Sequence, residues 1–173
     1  MKEKATLILA EIKKAGSILL HCHPKPDPDS VGSALAMKFA LEQMDKKVTV
    51  IKGDSEIPEA FMHFPGADQI IRKNFSEIDL REFDLFICQD SSAPQMVTRT
   101  KKLEFPLSIP TVIIDHHRSS EKFGAINLIE DTYPANAQLL YDVFSEWGIK
   151  MTPEIASNLF MGIYNDTSGL KYR

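Results

Sequence analysis

The sequence predicts an α/β fold with an open, mainly parallel β-sheet that is sandwiched by helices. Short apolar runs rich in Ile, Val, Leu and Phe alternate along the chain with segments whose apolar residues recur at helical spacing. This alternation is typical of parallel sheets, whose strands are buried on both faces and are therefore continuously apolar. No repeat or Gly/Ser-rich linker breaks the pattern, and 173 residues are enough for one substantial core. We therefore expect residues 1–173 to form a single domain.

Helical and strand patterns follow one another from the N-terminus. The segment 3–13 predicts an amphipathic helix with Leu7, Ile8 and Ile12 on one side. Buried strands are predicted at 17–22, 47–52, 84–89 and 111–115, and further helices at 30–44, about 94–102, 135–147 and 153–165. Gly148 should stop the fourth helix, while Thr152 and Pro153 should begin the fifth, which turns Ile155, Leu159, Phe160 and Ile163 inward.

Charge and cysteine content narrow the possible functions. The net charge of -4 argues against a general binder of long duplex nucleic acid, which would present excess Lys and Arg. Glu11, Lys13 and Lys14 interrupt the N-terminal segment, so it predicts neither a signal peptide nor a membrane span. Cys22 and Cys88 fall inside predicted strands as free thiols, which fits a reducing compartment. We therefore expect a cytoplasmic protein without a membrane partner.

Polar side chains follow three of the predicted strands at the point where each strand ends. They are His21, His23, Asp27 and Asp29 after the first strand, Asp90 after the third, and Asp115, His116, His117 and Arg118 at the end of the fourth. Ligands of open parallel sheets bind outside the carboxyl ends of the strands. We therefore expect these residues to meet at one edge of the sheet, where His21 has a structural or supporting role.

Converging carboxylates repel one another unless cations neutralise them. Asp27, Asp29, Asp90 and Asp166 supply four negative charges, and His23 and His116 can act as neutral ligands. This set of oxygen and imidazole donors without thiolate favours Mn²⁺ or Mg²⁺, with Zn²⁺, Co²⁺ or Fe²⁺ as alternatives. Four negative charges match two divalent ions, the arrangement used for in-line phosphoryl displacement.

At this point the chain resembles the DHH phosphoesterases, a family related to RecJ and named for the triplet found here as Asp115-His116-His117. The first family motif resembles His23 with Asp27 and Asp29, the second Asp90 in LFICQDSS, the third IDHH, and the fourth GIYNDTSG with Asp166. FPGADQI and PEIASNLFMGIY further resemble the branch of bacterial nanoRNases that remove 3′-phosphoadenosine 5′-phosphate. The resemblance implies the N-terminal domain of such an enzyme.

The resemblance also implies roles for individual residues. His23, Asp27 and Asp90 would bind one metal, and Asp29, Asp90, His116 and Asp166 the other, with Asp90 bridging the two ions. His117 would contact the scissile phosphate or protonate the leaving group, and Asp115 would orient its neighbours.

The start of the second helix is the expected anion site. Asp29 and Ser30 should cap this helix, so that the backbone N–H groups of Ser30, Gly32 and Ser33 lie near the substrate. Arg118 is a further candidate for substrate contact.

Family members carry a second, C-terminal substrate-binding domain with a glycine-rich motif, and no GGGH-like segment occurs in this chain. The expected activity is hydrolysis of short RNA, linear dinucleotides or 3′-phosphoadenosine 5′-phosphate. A manganese-dependent pyrophosphatase and a non-catalytic nucleotide-binding or metal-binding half-enzyme are the alternatives. The missing domain or a second copy of the chain is the expected protein partner.

Overall fold

The computed structural model describes residues 1–172, which form a five-stranded sheet and four α-helices. In chain order the elements are α1 (Lys2–Lys14), β1 (Ser17–His21), α2 (Pro28–Glu42), β2 (Lys47–Ile51), β3 (Leu85–Gln89), β4 (Thr111–Asp115), β5 (Ile126–Ile129), α3 (Asn136–Trp147) and α4 (Pro153–Asp166). Short 3-10 turns lie in the connections between β2 and β4. The predicted α/β class with a parallel sheet and all four predicted strands are confirmed.

The strands are parallel and lie in the order β2-β1-β3-β4-β5. The chain leaves β1 toward one edge of the sheet, forms β2 and then returns past β1 to form β3. The strand order therefore reverses between β1 and β3. In open parallel sheets, such a reversal leaves a crevice at the carboxyl ends of the two strands.

The two faces of the sheet are covered by different kinds of structure. One face, which includes Leu20, Ile87 and Ile114, packs against the helices in the larger core. The other face, which includes Phe86 and Ile113, packs against 3-10 turns and irregular chain. The α-helices therefore lie on one side of the sheet, where α4 forms an outer layer on α2 and α3, whereas the sequence predicted helices on both faces. The second face lacks α-helices because its connections form 3-10 turns and irregular chain.

The predicted helix over about 94–102 is wrong. Only Pro94–Met96 forms a 3-10 turn. Beyond it, the Thr98 hydroxyl and the Arg99 backbone N–H donate to the two oxygens of Asp54, each at 2.6 Å. This carboxylate takes the N–H that a helix would direct to its own carbonyl groups. Strand β5 was not predicted because it is a four-residue edge strand with a half-exposed pattern.

The predicted ends of α3 and α4 are correct, but two residues that were expected to be buried on helix faces are exposed. Gly148 ends α3 in the left-handed region, and the Thr152 side chain caps α4. Leu7 and Phe160 were expected to face inward, yet they are 50% and 52% exposed. Within residues 1–172, no helix is long and apolar enough to cross a membrane.

Candidate metal centre

The six predicted metal ligands lie together at the reversal of the strand order. They form two groups of three, His23 with Asp27 and Asp90, and Asp29 with His116 and Asp166. Within each group, one possible ligand atom from every residue lies within 4.8 Å of the others. Asp90 also forms such a group with His116 and His117, so its carboxylate connects the two sets. The sequence prediction that these residues converge is thereby confirmed.

Asp90 occupies the centre of the cluster. Its Oδ2 lies 3.4 Å from His23 Nε2, and its Oδ1 lies 3.4 Å from His116 Nε2. The residue is buried directly after β3 at a positive φ of 51°, a conformation that costs energy for a residue other than glycine. Its backbone N–H donates to the Ile114 carbonyl at 2.9 Å, which fixes the strand end. The backbone is thus held in a strained form that directs the carboxylate between two imidazoles.

His116 directs its Nε2 atom to the same point. Its Nδ1 lies 3.1 Å from the Tyr133 carbonyl, which only accepts, so Nδ1 carries the proton. Its Nε2 is buried without a hydrogen-bond partner, as is Oδ1 of Asp90. Carboxylate oxygens of Asp166 and Asp29 lie 3.7 and 3.8 Å from Nε2. An imidazole nitrogen and carboxylate oxygens directed at one point are donors that divalent cations use, so the residues fit such an ion.

The other half of the cluster is built by the start of α2. Asp27 is the N-cap of this helix, because its Oδ1 accepts from the Ser30 backbone N–H at 2.8 Å. Its Oδ2 lies 3.5 Å from Nδ1 of His23, whose Nε2 contacts the Asp90 carbonyl oxygen. The side chain of Asp27 is 45% exposed, so this half of the cluster opens to solvent. The expectation that Asp29 and Ser30 cap the helix is wrong, since α2 begins at Pro28.

Asp29 holds the cluster against a second helix. Its two oxygens accept from the backbone N–H groups of Asn136 at 2.7 Å and Ala137 at 2.9 Å. These groups belong to the first turn of α3, whose own N-cap, Ala135, has no side chain that could accept them. Helix α4 passes close to the same carboxylate, because a Cβ atom on Gly162 would lie 2.5 Å from Asp29 Oδ1. Asp29 is therefore both a ligand candidate and a link between helices.

The carboxylates of the cluster repel one another. Burial, and then the charge of Asp29, raise the pKa of Asp90 well above its usual value. Burial and the charge of Asp166 raise the pKa of Asp29 to about 6. Burial alone would lower the pKa of His23, but Asp90 and Asp27 raise it to about 9. Mutual elevation of carboxylate pKa values favours a bound cation, which removes the repulsion.

Asp115 and His117 form a pair beside the ligand candidates. Asp115 Oδ1 lies 2.8 Å from His117 Nδ1, and this hydrogen bond raises the pKa of His117. Burial would raise the pKa of Asp115, but the hydrogen bond and charge of His117 lower it. The imidazole is 42% exposed, whereas Asp115 is fully buried. The pair thus holds the His117 imidazole in a fixed orientation at the open side of the cluster.

The predicted anion-binding residues at the start of α2 have other partners. The Ser30 N–H donates to Asp27, and its hydroxyl accepts from the His23 backbone N–H at 2.8 Å. The Ser33 hydroxyl accepts from Asn136 Nδ2 at 3.0 Å, and all three predicted residues are buried. A Cβ atom on Gly32 would collide with the Asn158 carbonyl of α4, so Gly32 allows the two helices to pack. Ser30, Gly32 and Ser33 therefore support the residues of the cluster through hydrogen bonds and helix packing. Because they are buried and already have partners, their geometry does not favour contact with an anion.

Arg118 and His21 lie at the margins of the cluster. Arg118 is exposed directly after His117, and its contact with a substrate stays a prediction. His21 lies on the other face of the sheet, where Nδ1 is 3.0 Å from the Cys22 carbonyl and Nε2 is 3.3 Å from Cys88 Sγ. Burial lowers the pKa of His21 to about 3, so the ring is a neutral structural group.

Two glycines that support the cluster were not singled out from the sequence. Gly53 lies against the His23 carbonyl so closely that a Cβ atom would overlap it, and Gly162 makes the approach to Asp29 described above. Gly53 could have been noticed from the sequence because it lies two residues after the end of β2, at the same edge of the sheet as the cluster. For Gly162 the signal was its place in α4, four residues before Asp166.

The fold and the site define a class of protein, an α/β domain whose parallel sheet carries a carboxylate and imidazole cluster suited to divalent cations at the reversal of its strand order. The chain belongs to the DHH family, whose N-terminal domain matches residues 17–163.

Relatives with curated sequences match over most of this chain. It is 27% identical over 172 residues to the bifunctional oligoribonuclease and PAP phosphatase NrnA of Thermus thermophilus, covering 98% of this chain and 49% of that protein. It is 30% identical over 159 residues to an uncharacterized protein of Mycoplasma genitalium, covering 91% and 47%. The chain thus spans about half the length of the curated relatives it matches.

A solved structure supports the fold assignment. The crystal structure of an exopolyphosphatase-related protein from Bacteroides fragilis superposes with a TM-score of 0.88 over 99% of this chain and 52% of that chain. The sequence identity is 23%, so this similarity concerns the fold.

Proposed function

We propose that this domain is a two-metal phosphoesterase that hydrolyses nucleotides and short oligonucleotides. The observation that carries the proposal is the position of Asp90 between two imidazole and carboxylate groups, with Oδ1 of Asp90 and Nε2 of His116 both buried and unpartnered. Unpaired buried polar atoms are costly, and a pair of cations would use both. Candidate substrates are nanoRNA, linear dinucleotides and 3′-phosphoadenosine 5′-phosphate.

In this proposal the two groups of the cluster hold one ion each. His23, Asp27 and Asp90 would hold the first ion, and Asp29, Asp90, His116 and Asp166 would hold the second. We expect Mn²⁺, with Mg²⁺ or Co²⁺ as substitutes. When bound, such ions supply Lewis acidity toward a phosphate ester and toward water. The chain itself holds the ligand side chains at the ends of the strands, so that they point to the same site. Burial of these side chains limits their contact with solvent.

His117 is the residue that we propose as the proton donor to the leaving group. Its Nδ1 lies 2.8 Å from Asp115 Oδ1, so the ring orientation is fixed, and this hydrogen bond raises the pKa of the imidazole. Because the ring is partly exposed, it can reach a phosphate ester that lies against the cluster. Asp115 then acts as a positioning residue that aligns the imidazole and raises its pKa.

The names of relatives set the substrate class of this proposal. The Thermus thermophilus relative is called an oligoribonuclease and PAP phosphatase, and so is a Bacillus subtilis protein that is 23% identical over 168 residues. We extend this class to the present chain as nucleotides and short RNA. A cytoplasmic location fits these substrates and the two buried free thiols.

The test uses the full chain with Mn²⁺ and linear di-adenylate, followed by chromatography of the products. We expect steady release of mononucleotide by the wild-type chain and none after addition of EDTA or in Asp90→Asn. Asp45→Asn is the matched control, because Asp45 also has a positive φ, of 57°, but is exposed outside the cluster. Parallel assays with 3′-phosphoadenosine 5′-phosphate and inorganic pyrophosphate separate the nucleotide substrates from a pyrophosphatase activity.

A second candidate function is a catalytic half-enzyme that needs a companion domain to bind substrate. The observation that favours it is that relatives are about twice as long as this chain. Positioning of the substrate supplies a large share of rate enhancement, so a half-site would act slowly. Bound Mn²⁺ without turnover of any of the three substrates would support this candidate over the first.

A further inference from the structure

A cavity of about 340 Å³ opens beside the cluster, between the end of α4 and the start of α2. Its lining includes Pro28, Met161, Tyr164, Asn165, Ser168 and Lys171. Two of these residues adjoin ligand candidates, because Pro28 follows Asp27 and Asn165 Nδ2 donates to Asp166 Oδ1 at 3.0 Å. We refer to this space as the α4 cavity. Its volume is at the lower end of the range for small-molecule sites.

Tyr164 gives the α4 cavity an exposed aromatic wall. The residue is 49% exposed, and its ring packs against Phe160 with the ring centroids 5.7 Å apart. The following turn supports the ring, since Gly169 donates its N–H to the Tyr164 carbonyl at 2.7 Å and a Cβ atom on Gly169 would lie 3.3 Å from the Tyr164 hydroxyl. Three successive residues of this turn, from Ser168 to Leu170, have positive φ values of 51°, 75° and 64°. A strained turn therefore holds a half-exposed tyrosine in place.

Polar groups surround this aromatic wall. Asn165 brings an amide, Ser168 a hydroxyl and Lys171 a positive charge to the cavity, while Met161 and Pro28 are apolar. An apolar platform with a few hydrogen-bonding groups suits a flat heteroaromatic ring, and aromatic side chains bind nucleobases by stacking without regard to base identity. The lysine adds attraction for phosphate beside an otherwise acidic cluster.

We propose that the α4 cavity binds the base of the substrate nucleotide, with Tyr164 as the stacking residue. The inference rests on the proposed function, which places the phosphate at the cluster, and it adds a site for the rest of the nucleotide within this domain. Because stacking tolerates every base, the site favours nucleotides over other phosphate esters and discriminates little among bases.

The test compares binding of adenosine 5′-monophosphate and ribose 5-phosphate to the full chain with Mn²⁺, measured by isothermal titration calorimetry. We expect the wild-type chain to bind the nucleotide about tenfold more tightly, the value of one stacked base. Tyr164→Ala should remove this preference without changing the affinity for ribose 5-phosphate. Tyr164→Phe should retain it, and so should Tyr141→Ala, a control at another exposed tyrosine on α3.

Equal wild-type affinities for the two phosphates, or an unchanged preference in Tyr164→Ala, would overturn the inference. Failure of the chain to bind Mn²⁺ would instead contradict the proposed function. In that case adenosine titrated into the metal-free chain, observed by nuclear magnetic resonance, tests the cavity alone. Ring-current shifts of the Tyr164 ring protons with adenosine but not ribose would support the inference, and their absence would refute it.

Discussion

Asp90→Asn should stabilise the metal-free fold and at the same time abolish its response to Mn²⁺. The substitution keeps the shape of the side chain, and asparagine tolerates the positive φ of 51° at this position. It removes one buried negative charge, and the new amide N–H can donate to the unpartnered Nε2 of His116. The wild-type carboxylate is attracted by His23 and His117, yet its pKa is raised overall. Burial and repulsion by Asp29 therefore outweigh these attractions.

The size of the gain follows from the usual cost of an unpaired buried polar group. That cost is about 1 to 3 kcal/mol, and 1 kcal/mol shifts the melting temperature of a domain of this length by about 2 to 4 °C. We expect Asp90→Asn to melt several degrees above the wild-type chain in EDTA, as measured by circular dichroism or calorimetry. In Mn²⁺ the order should reverse, because the wild-type chain gains binding energy that the variant lacks.

The pH dependence of this gain checks its origin. A carboxyl group whose pKa is higher in the folded chain than in the unfolded chain costs nothing below the unfolded value, which is near 3.8. The cost increases as the pH rises through the interval between the two pKa values. The advantage of Asp90→Asn should therefore be absent near pH 4 and present at neutral pH. A variant that melts below the wild-type chain in EDTA at neutral pH, or a gain equal to that of Asp45→Asn, would refute the reasoning.

Three further predictions test the links between the cluster and the fold. Asp29→Ala should lower the free energy of unfolding in EDTA by about 2 to 4 kcal/mol, as measured by urea titration, because the backbone N–H groups of Asn136 and Ala137 lose their acceptor. The control Asp166→Ala should change this free energy by less than about 1 kcal/mol. Gly162→Ala should destabilise the metal-free chain by about 1 to 3 kcal/mol and weaken Mn²⁺ binding, because the added methyl group collides with the carboxylate of Asp29. An unchanged Mn²⁺ titration would contradict this prediction. Binding of Mn²⁺ should strengthen from pH 6 to pH 9 and release protons, because the ligands, including His23 with its pKa raised to about 9, must be deprotonated; calorimetry in two buffers of different ionisation enthalpy measures that release.

The sequence was sufficient to predict five of the six ligand candidates from their place after a strand end. Asp90 comes after a continuously apolar strand, and the parallel order of the strands brings such ends to one edge. The position of Asp166 came from the motif in GIYNDTSG and from no strand pattern. These arguments depend on local signals, which remain readable without the tertiary structure.

The parts that were missed depend on contacts between distant segments. The loss of the helix over about 94–102 depends on Asp54, a residue more than forty positions earlier whose carboxylate takes the Arg99 N–H. The partner of Asp29 is the first turn of α3, 107 residues away. Gly32 and Gly162 allow close packing of α2, α3 and α4, and the residues that each glycine meets on another helix cannot be predicted from the local sequence. Propensity and periodicity carry no information on such pairs, so these features required the structure.

The cluster also explains why metal occupancy and folding should be coupled in this domain. The Asp29 carboxylate accepts hydrogen bonds from two backbone N–H groups in the first turn of α3, and these bonds lower its pKa. Burial and the charge of Asp166 raise this pKa by more than the hydrogen bonds lower it. The same carboxylate therefore stabilises helix packing and carries a charge that the cluster repels. A cation held by this cluster would offset the repulsion between Asp29 and Asp166. An ion present at one hundred times its dissociation constant adds about 2.7 kcal/mol of stability. Metal binding should therefore stabilise the packing of α2, α3 and α4, which meet at Asp29, beside the site where the substrate phosphate is proposed to bind.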